Sequence, residues 1–353
     1  MSAPPPAQHD LLRPHAPGPA YFDGEREVWV LSRYADVLAA FREPHLWPVG
    51  TRGQDQSAGR DETGKLLVRG DFQHALSPSL LAGWQSQVEA LARATLQQLP
   101  DGRPVDLLRE FAEPVCLTLA IRMMGADPSG RQRLSELGAQ VLGRVGAPQD
   151  SLLRPQADAA VAELGRAFQN APIPLGEQTF VGISQTLPRL LASGWVALLR
   201  HPAELARLRA EPKLMPRAVE ELMRYAPIIH LVSRRALADV YLAGLRIARG
   251  AQVNLMLSAA NRDPEQFPDP DRLDVSRCPA GQVALGFGRD SCAGAVVVRM
   301  VSSVTTAALL ESFREIEPAG PVEWHSRSVF RWPASVPVML RREPAGSVVD
   351  GSD

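Results

Sequence analysis

Leu285-Gly286-Phe287-Gly288-Arg289-Asp290-Ser291-Cys292-Ala293-Gly294 is the stretch on which the reading of this chain turns. Two glycines come first, a cysteine follows four positions after the second, and a third glycine leads into the apolar run Ala295-Val296-Val297-Val298. Glycine has no Cβ, so a backbone built with it can approach a flat object closely. Cys292 falls where loop gives way to helix. The partial positive charge and unpaired N–H groups of a helix N-terminus favour thiolate over thiol there. A protected thiolate suits a soft or borderline metal. A buried cysteine in a Gly-rich turn, serving packing alone, is the plainer reading of the same residues.

Composition narrows the function classes. The 353 residues carry 38 Lys and Arg against 39 Asp and Glu, dispersed rather than clustered, which argues against a nucleic-acid or membrane-surface role. Cys116, Cys278 and Cys292 lie far apart and show neither zinc spacing nor a disulfide framework, as suits a reducing cytoplasm. Met1 to Pro19 is rich in proline and polar residues, with no apolar segment long enough for a signal peptide or membrane span. A flexible segment is expected over 1–19, one domain over 20–342, and a flexible tail over 343–353. A cytoplasmic location follows as the default.

Along the chain, residues 20–31 predict a hairpin turning at Asp23-Gly24, with Ser32 capping the helix that holds Val37 and Phe41. Residues 44–64 predict a long functional loop containing Trp47. Lys65 and Arg69 share one face of a helix by their spacing. Helices are predicted from Pro78, over 107–121, over 134–145 and 152–168, and from Phe180 to Arg200. Pro188 in the last removes a backbone donor and opens or kinks the helix near Ser184. Glu221 and Arg224 are close enough to pair on a further helix. Leu242–Ile247 and Val253–Leu257 predict strands joined at Arg249-Gly250. Ser328–Phe330 and Val336–Leu340 predict a terminal hairpin. His230, a lone histidine, predicts a pocket wall rather than a metal ligand.

The loop at 285–294 resembles the cysteine-ligand loop of the cytochrome P-450 superfamily, Phe-Gly-x-Gly-x-x-x-Cys-x-Gly, with Leu285 in place of the phenylalanine. Glu221-Leu222-Met223-Arg224 and Asn261-Arg262-Asp263-Pro264 stand in the family's order before it, and the resemblance spans roughly Phe22 to Leu340. It implies a mainly α fold with small β-sheets, a triangular helical prism around haem b. Cys292 then ligates the iron, with Leu285, Gly286 and Ala293 against the haem. Lys65, Arg69 and Arg234 anchor the propionates, Arg235 being the competitor of Arg234. The family's propionate-contacting histidine is Asp290 here, so that contact is either lost or replaced by Arg289. Gly182-Ile183-Ser184-Gln185-Thr186 matches the oxygen-activation motif, with Thr186 in register and Gln185 where an acid usually stands. Arg272 is the implied third member of a structural triad with Glu221 and Arg224.

The implied activity is that of a bacterial monooxygenase tailoring a natural product, using dioxygen and electrons from a ferredoxin and ferredoxin reductase. Oxidative coupling or crosslinking, or peroxide-driven oxidation, of a peptide or carrier-bound substrate is the alternative, because Gln185 has no proton to relay. A non-catalytic scaffold of the same shape, binding partner proteins, has no use for the thiolate. Trp47, Val181, Ile183, Ile229, His230 and Val329 are the expected substrate contacts. Helices over 134–145 and 152–168 form the pocket roof, and the prolines at 172 and 174 leave no room for a further helix beneath it. An open pocket and a large or tethered substrate are therefore expected.

Overall fold

The computed structural model describes residues 17–49, 77–147, 150–171, 175–278, 281–326 and 329–343. β1 (Tyr21–Asp23) pairs antiparallel with β2 (Val28–Leu31), the predicted hairpin. Its turn is made by other means than Gly24. The left-handed residue is Glu27, at φ 54°, and the Asp23 carboxylate accepts from the Glu25 and Arg26 N–H groups. An acidic side chain mimicking a backbone turn does here what Asp-Gly was expected to do. Ser32 does not cap α1 (Tyr34–Arg42); its hydroxyl bonds the Gly18 backbone. The cap comes from 229 residues away, where the Asp263 carboxylate accepts from the Tyr34 N–H at 2.7 Å.

β3 (Leu46–Pro48) forms inside the predicted loop, of which residues 50–64 lie outside the described residues. α2 (Pro78–Gln98) and β4 (Pro104–Asp106) lead to a π-helical turn at Leu107–Ala112 and then α3 (Glu113–Met123). α4 (Arg131–Gly146) and α5 (Leu153–Ala167) are the two predicted roof helices, and they pack along each other. The central helix comprises α6 (Gly176–Val181), a π-turn over Gly182–Thr186, and α7 (Leu187–Arg200). Each π-turn is followed by a helix with proline at its second position, Pro114 or Pro188. In the central helix the Leu187 N–H reaches five residues back to the Gly182 carbonyl. A proline there has no N–H to give to the previous turn, so the helix widens just before it.

α8 (Pro202–Ala210) and α9 (Met215–Tyr225) come next, then β5 (Leu231–Ala236), β6 (Val240–Leu242), β7 (Leu245–Ile247), β8 (Gln252–Met256) and the single turn α10 (Leu257–Ala260). The strand predicted over 242–247 is instead a tight hairpin of β6 and β7, turning at Ala243 and Gly244, both at positive φ. β8 joins a five-stranded sheet of order β1-β2-β8-β5-β3. α11 (Ala295–Ser312) precedes β9 (Glu315–Pro318), β10 (Trp324–Ser326), β11 (Arg331–Pro333) and β12 (Pro337–Arg341). The predicted terminal hairpin is not made: β10 pairs with β11, while β12 lies between β4 and β9.

α7 is buried along most of its length, and the rest of the core is arranged on it. Phe111 stacks on Trp195 with centroids 5.3 Å apart, and the Trp195 indole N–H donates to Thr306 of α11 at 3.1 Å. α11 is long and apolar enough to cross a membrane by length and composition, but 56% of that stretch is buried, as in a core helix. Its position matters for function, because its N-terminus receives the chain directly from Cys292.

Candidate active site

The cysteine loop is closed by one short bond: the Cys292 N–H donates to the Leu285 carbonyl at 2.7 Å. Between them Gly288–Asp290 makes a 3-10 turn. Gly286 sits at φ 73°, and a Cβ there would lie 2.5 Å from the Asp290 carbonyl oxygen, so no side chain is tolerated. α11 starts three residues after the cysteine, leaving the thiol just ahead of the helix. Protein packed around the sulfur pushes the Cys292 pKa up, although the residue retains accessible surface; the Gly294 N–H and the Arg299 cation pull it down. A positive ion at the sulfur resolves that conflict by favouring the thiolate.

Two acids of α9 anchor the chain that leads into this loop, and Glu220 also reaches past it to Arg299. Glu221 and Arg224 are fully buried and doubly bonded, at 2.7 and 2.9 Å. Arg224 also donates to the Asn261 and Pro270 carbonyls, each at 2.8 Å. The third member of the triad is Arg277, whose Nε lies 3.1 Å from Glu221, not Arg272. Arg272 is exposed and contributes only its carbonyl. No periodicity carries this: the chain turns at Val275-Ser276, where the Arg277 N–H donates to the Asp274 carbonyl, and the turn brings Arg277 onto Glu221. Glu220 receives Gln282 at 3.0 Å and also bonds Arg299 of α11. Asn261 accepts from the Val283 N–H at 2.8 Å.

Of the expected propionate anchors, Lys65 and Arg69 lie outside the described residues. Arg234 is buried, stands 3.4 Å from the Asp290 carboxylate, and leaves its Nε without a partner among the described residues. Burial lowers its pKa and Asp290 raises it. Its competitor Arg235 points the other way, to the Gly250 carbonyl at 3.1 Å. Arg289 does not stand in for the missing histidine: it donates to the carbonyls of Glu43, Pro44 and Leu46 and covers Trp47. A flat, iron-bearing ring with carboxylate arms suits the soft thiolate donor, the Gly286 cradle and the partnerless Arg234 Nε. An Arg234→Gln variant should release haem to an acceptor globin roughly tenfold faster, as expected for one lost charge-assisted bond. Equal transfer rates would remove Arg234 from the site.

On the central helix, Thr186 closes the π-turn and is half-buried. Gln185 is tied into the roof, its amide donating to the Ser135 carbonyl of α4 at 3.3 Å, with Arg189 at 3.4 Å from its oxygen. A Cβ on Gly138 of α4 would come within 3.1 Å of Gln185, so the roof lies close upon this turn. Ser184 carries a buried hydroxyl with no partner among the described residues. Sequence reading missed Ser135 and Arg189, since nothing local marks either. Val181 and Ile183 are buried in the main core, against which Ile229 and Val329 also pack. Ile229 bridges to Phe330, and the His230 N–H donates to the Val329 carbonyl. Trp47 stands apart, paired in the sheet with Arg235 and bonded to the Pro44 carbonyl.

Burial and the Arg331 cation lower the His230 pKa to about 4, against the pull of the Pro227 carbonyl. Above its ordinary value of 6.5 the imidazole is neutral in both folded and unfolded chains. As pH falls from there toward 4, the unfolded chain takes a proton that the fold refuses, so stability drops. The shift corresponds to about 3 kcal/mol across that window. His230→Asn should flatten the fall in unfolding free energy between neutral and acid pH; parallel curves would show that the imidazole does not titrate this way.

A statistical model of the Cytochrome P450 family matches residues 206–326, which hold Glu221, Arg224 and Cys292. Cytochrome P450-SU2 of Streptomyces griseolus is 31% identical, covering 86% of this chain and 84% of its own. The polyketide biosynthesis cytochrome P450 PksS of Bacillus subtilis is 26% identical over 91% of each. Among solved structures, the LnmA cytochrome P450 hydroxylase of the leinamycin pathway of Streptomyces atroolivaceus superposes with a TM-score of 0.75 at 28% identity, over 88% of this chain and 90% of that one. The chain belongs to the cytochrome P450 family. It is a haem-dependent monooxygenase-type oxidoreductase with the family's fold.

Proposed function

We propose that this protein is a tailoring monooxygenase that carries haem b on Cys292 and hydroxylates a natural-product intermediate. The observation that carries the reading is the thiol of Cys292, presented by a loop clamped through Glu220 and Glu221 and flanked by the Gly294 amide. When bound there, haem supplies the activation of dioxygen, and a thiolate ligand favours O–O cleavage. One oxygen atom goes to product and the other leaves as water. Electrons come from a ferredoxin and its reductase, in the cytoplasm. PksS and LnmA bear names from biosynthetic pathways, which supports a small or carrier-bound natural product as substrate.

The chain's own part is binding, orientation and proton handling. Val181, Ile183, Ile229 and Val329 supply the apolar wall for the substrate, and His230 and Trp47 are its outlying members. Thr186 holds a water or its own proton at the π-turn, where the helix is already widened. Gln185 orients and cannot acidify, since an amide has no proton to give near neutral pH. With a ferredoxin donor and a substrate found by spin-shift screening, Thr186→Ala should lower product formed per electron consumed by about one order of magnitude. Undiminished product with the alanine variant would favour oxidative coupling or peroxide use, for which Gln185 in place of an acid is the supporting feature.

A further inference from the structure

A cavity of about 200 Å3 lies at the far end of α7, two to four turns beyond Thr186, between the C-terminal ends of α7 and α9 and the β10–β11 hairpin. Among the described residues no carboxylate lines it, while Arg200, Arg262 and Arg331 all do. Arg262 is satisfied: it pairs with Asp271 at 2.6 Å, donates to the Tyr225 carbonyl and lies on the Tyr225 ring. Arg200 and Arg331 are not. Neither has an acceptor for its guanidinium among the described residues, yet both lie over the same Trp324 ring, at 5.7 and 3.9 Å. Each arginine repels the other, and Arg331 is half-buried as well, so its pKa is lowered first by burial and then by Arg200.

Two carbonyls of the lining are already engaged. The Ala197 carbonyl accepts from His201 Nδ1 at 2.8 Å, and the Ala226 carbonyl from the Ser193 hydroxyl at 3.0 Å. In the wall between them stands His230, 5% exposed, beside the Pro227 carbonyl, its Nδ1 lacking a well-formed hydrogen bond among the described residues. A half-buried Arg331, an exposed Arg200 at its side and a buried imidazole nitrogen, with no acid beside them among the described residues, suit an anion. Geometry selects the kind: a dianionic phosphate gathers two charges on one tetrahedral centre between both guanidinium groups, whereas succinate spreads the same charge over a chain and a single carboxylate balances only one arginine.

We propose that this cavity binds the phosphate group of a small diffusible molecule between Arg200 and Arg331 on the Trp324 face, with His230 completing the contacts. The site lies beyond Thr186 along α7 and shares only His230 with the substrate wall assigned above. Calorimetric titration of the haem-loaded protein at constant ionic strength, with inorganic phosphate, glycerol phosphate and succinate in turn, tests it. Saturable binding of phosphate or its ester at about 1 mM or tighter is expected, with succinate weaker than both. Either ranking of phosphate and ester upholds the site and tells which source fills it. Arg200→Gln, on an exposed side chain whose loss the fold tolerates, should weaken binding about tenfold or more, as should Arg331→Gln, with the haem spectrum unchanged. No saturable heat with either phosphate, succinate binding more tightly, or undiminished affinity in both glutamine variants would overturn the proposal.

Discussion

Cys292→Ala should abolish the absorbance band of the reduced carbon monoxide complex at the wavelength from which the family takes its name. That band reports thiolate on iron, and the structure leaves no substitute. Cys116 is fully buried in α3, where burial pushes its thiol far up, and Cys278 lies outside the closed loop. The neighbours that suit Cys292 to the proposed role of ligand are local to it: the Gly294 N–H, the Arg299 cation and the Leu285 carbonyl that fixes its backbone. The corresponding alanine variants of Cys116 and Cys278 should keep the band. A Cys292→Ala protein that retained it would assign the iron to another sulfur.

Glu221→Gln should be the most damaging substitution away from the haem. The carboxylate is fully buried among Arg224, Arg277 and the Asp274 N–H, and neutralising it strands two guanidinium groups. Removing one partner of a buried ion pair costs about 3–5 kcal/mol, because the charge left behind has no solvent. The midpoint of denaturant unfolding should fall accordingly, and the purified protein should hold less haem, since the same helix carries Glu220 and fixes Gln282 before the cysteine loop. Arg277→Gln should show part of the same loss. Arg272→Gln, on an exposed side chain, should stay within about 0.5 kcal/mol of the parent. If Arg272→Gln proved as costly as Arg277→Gln, the wrong arginine would have been placed on Glu221.

How much of this was legible beforehand depended on how local each signal was. The cysteine loop, the Glu221–Arg224 pair and the helices forming the roof and centre are written in short spacings, and each stands where those spacings put it. The turn at Glu27 was missed because Asp23 substitutes a side-chain bond for glycine's freedom, and the two look alike in sequence. The β6–β7 hairpin was missed because Ala243 takes a left-handed conformation that alanine ordinarily avoids. Arg277 was not readable from spacing, because a turn from Asp274 places it on Glu221, and the resemblance pointed five residues too early.

By itself the sequence determined the covalent chemistry: a lone cysteine among glycines, an acid and an arginine one helical turn apart, and an amide where an acid usually stands. Partners separated by tens or hundreds of residues were decided only when the chain closed on itself. Asp263 caps α1, Gln185 reaches the roof at Ser135, and Arg234 meets Asp290. The far cavity is the clearest case, since Arg200 and Arg331 come from a helix and a strand that no spacing relates. Charge and hydrogen-bonding capacity belong to a residue, but whether they are satisfied depends on what else the fold brings within reach.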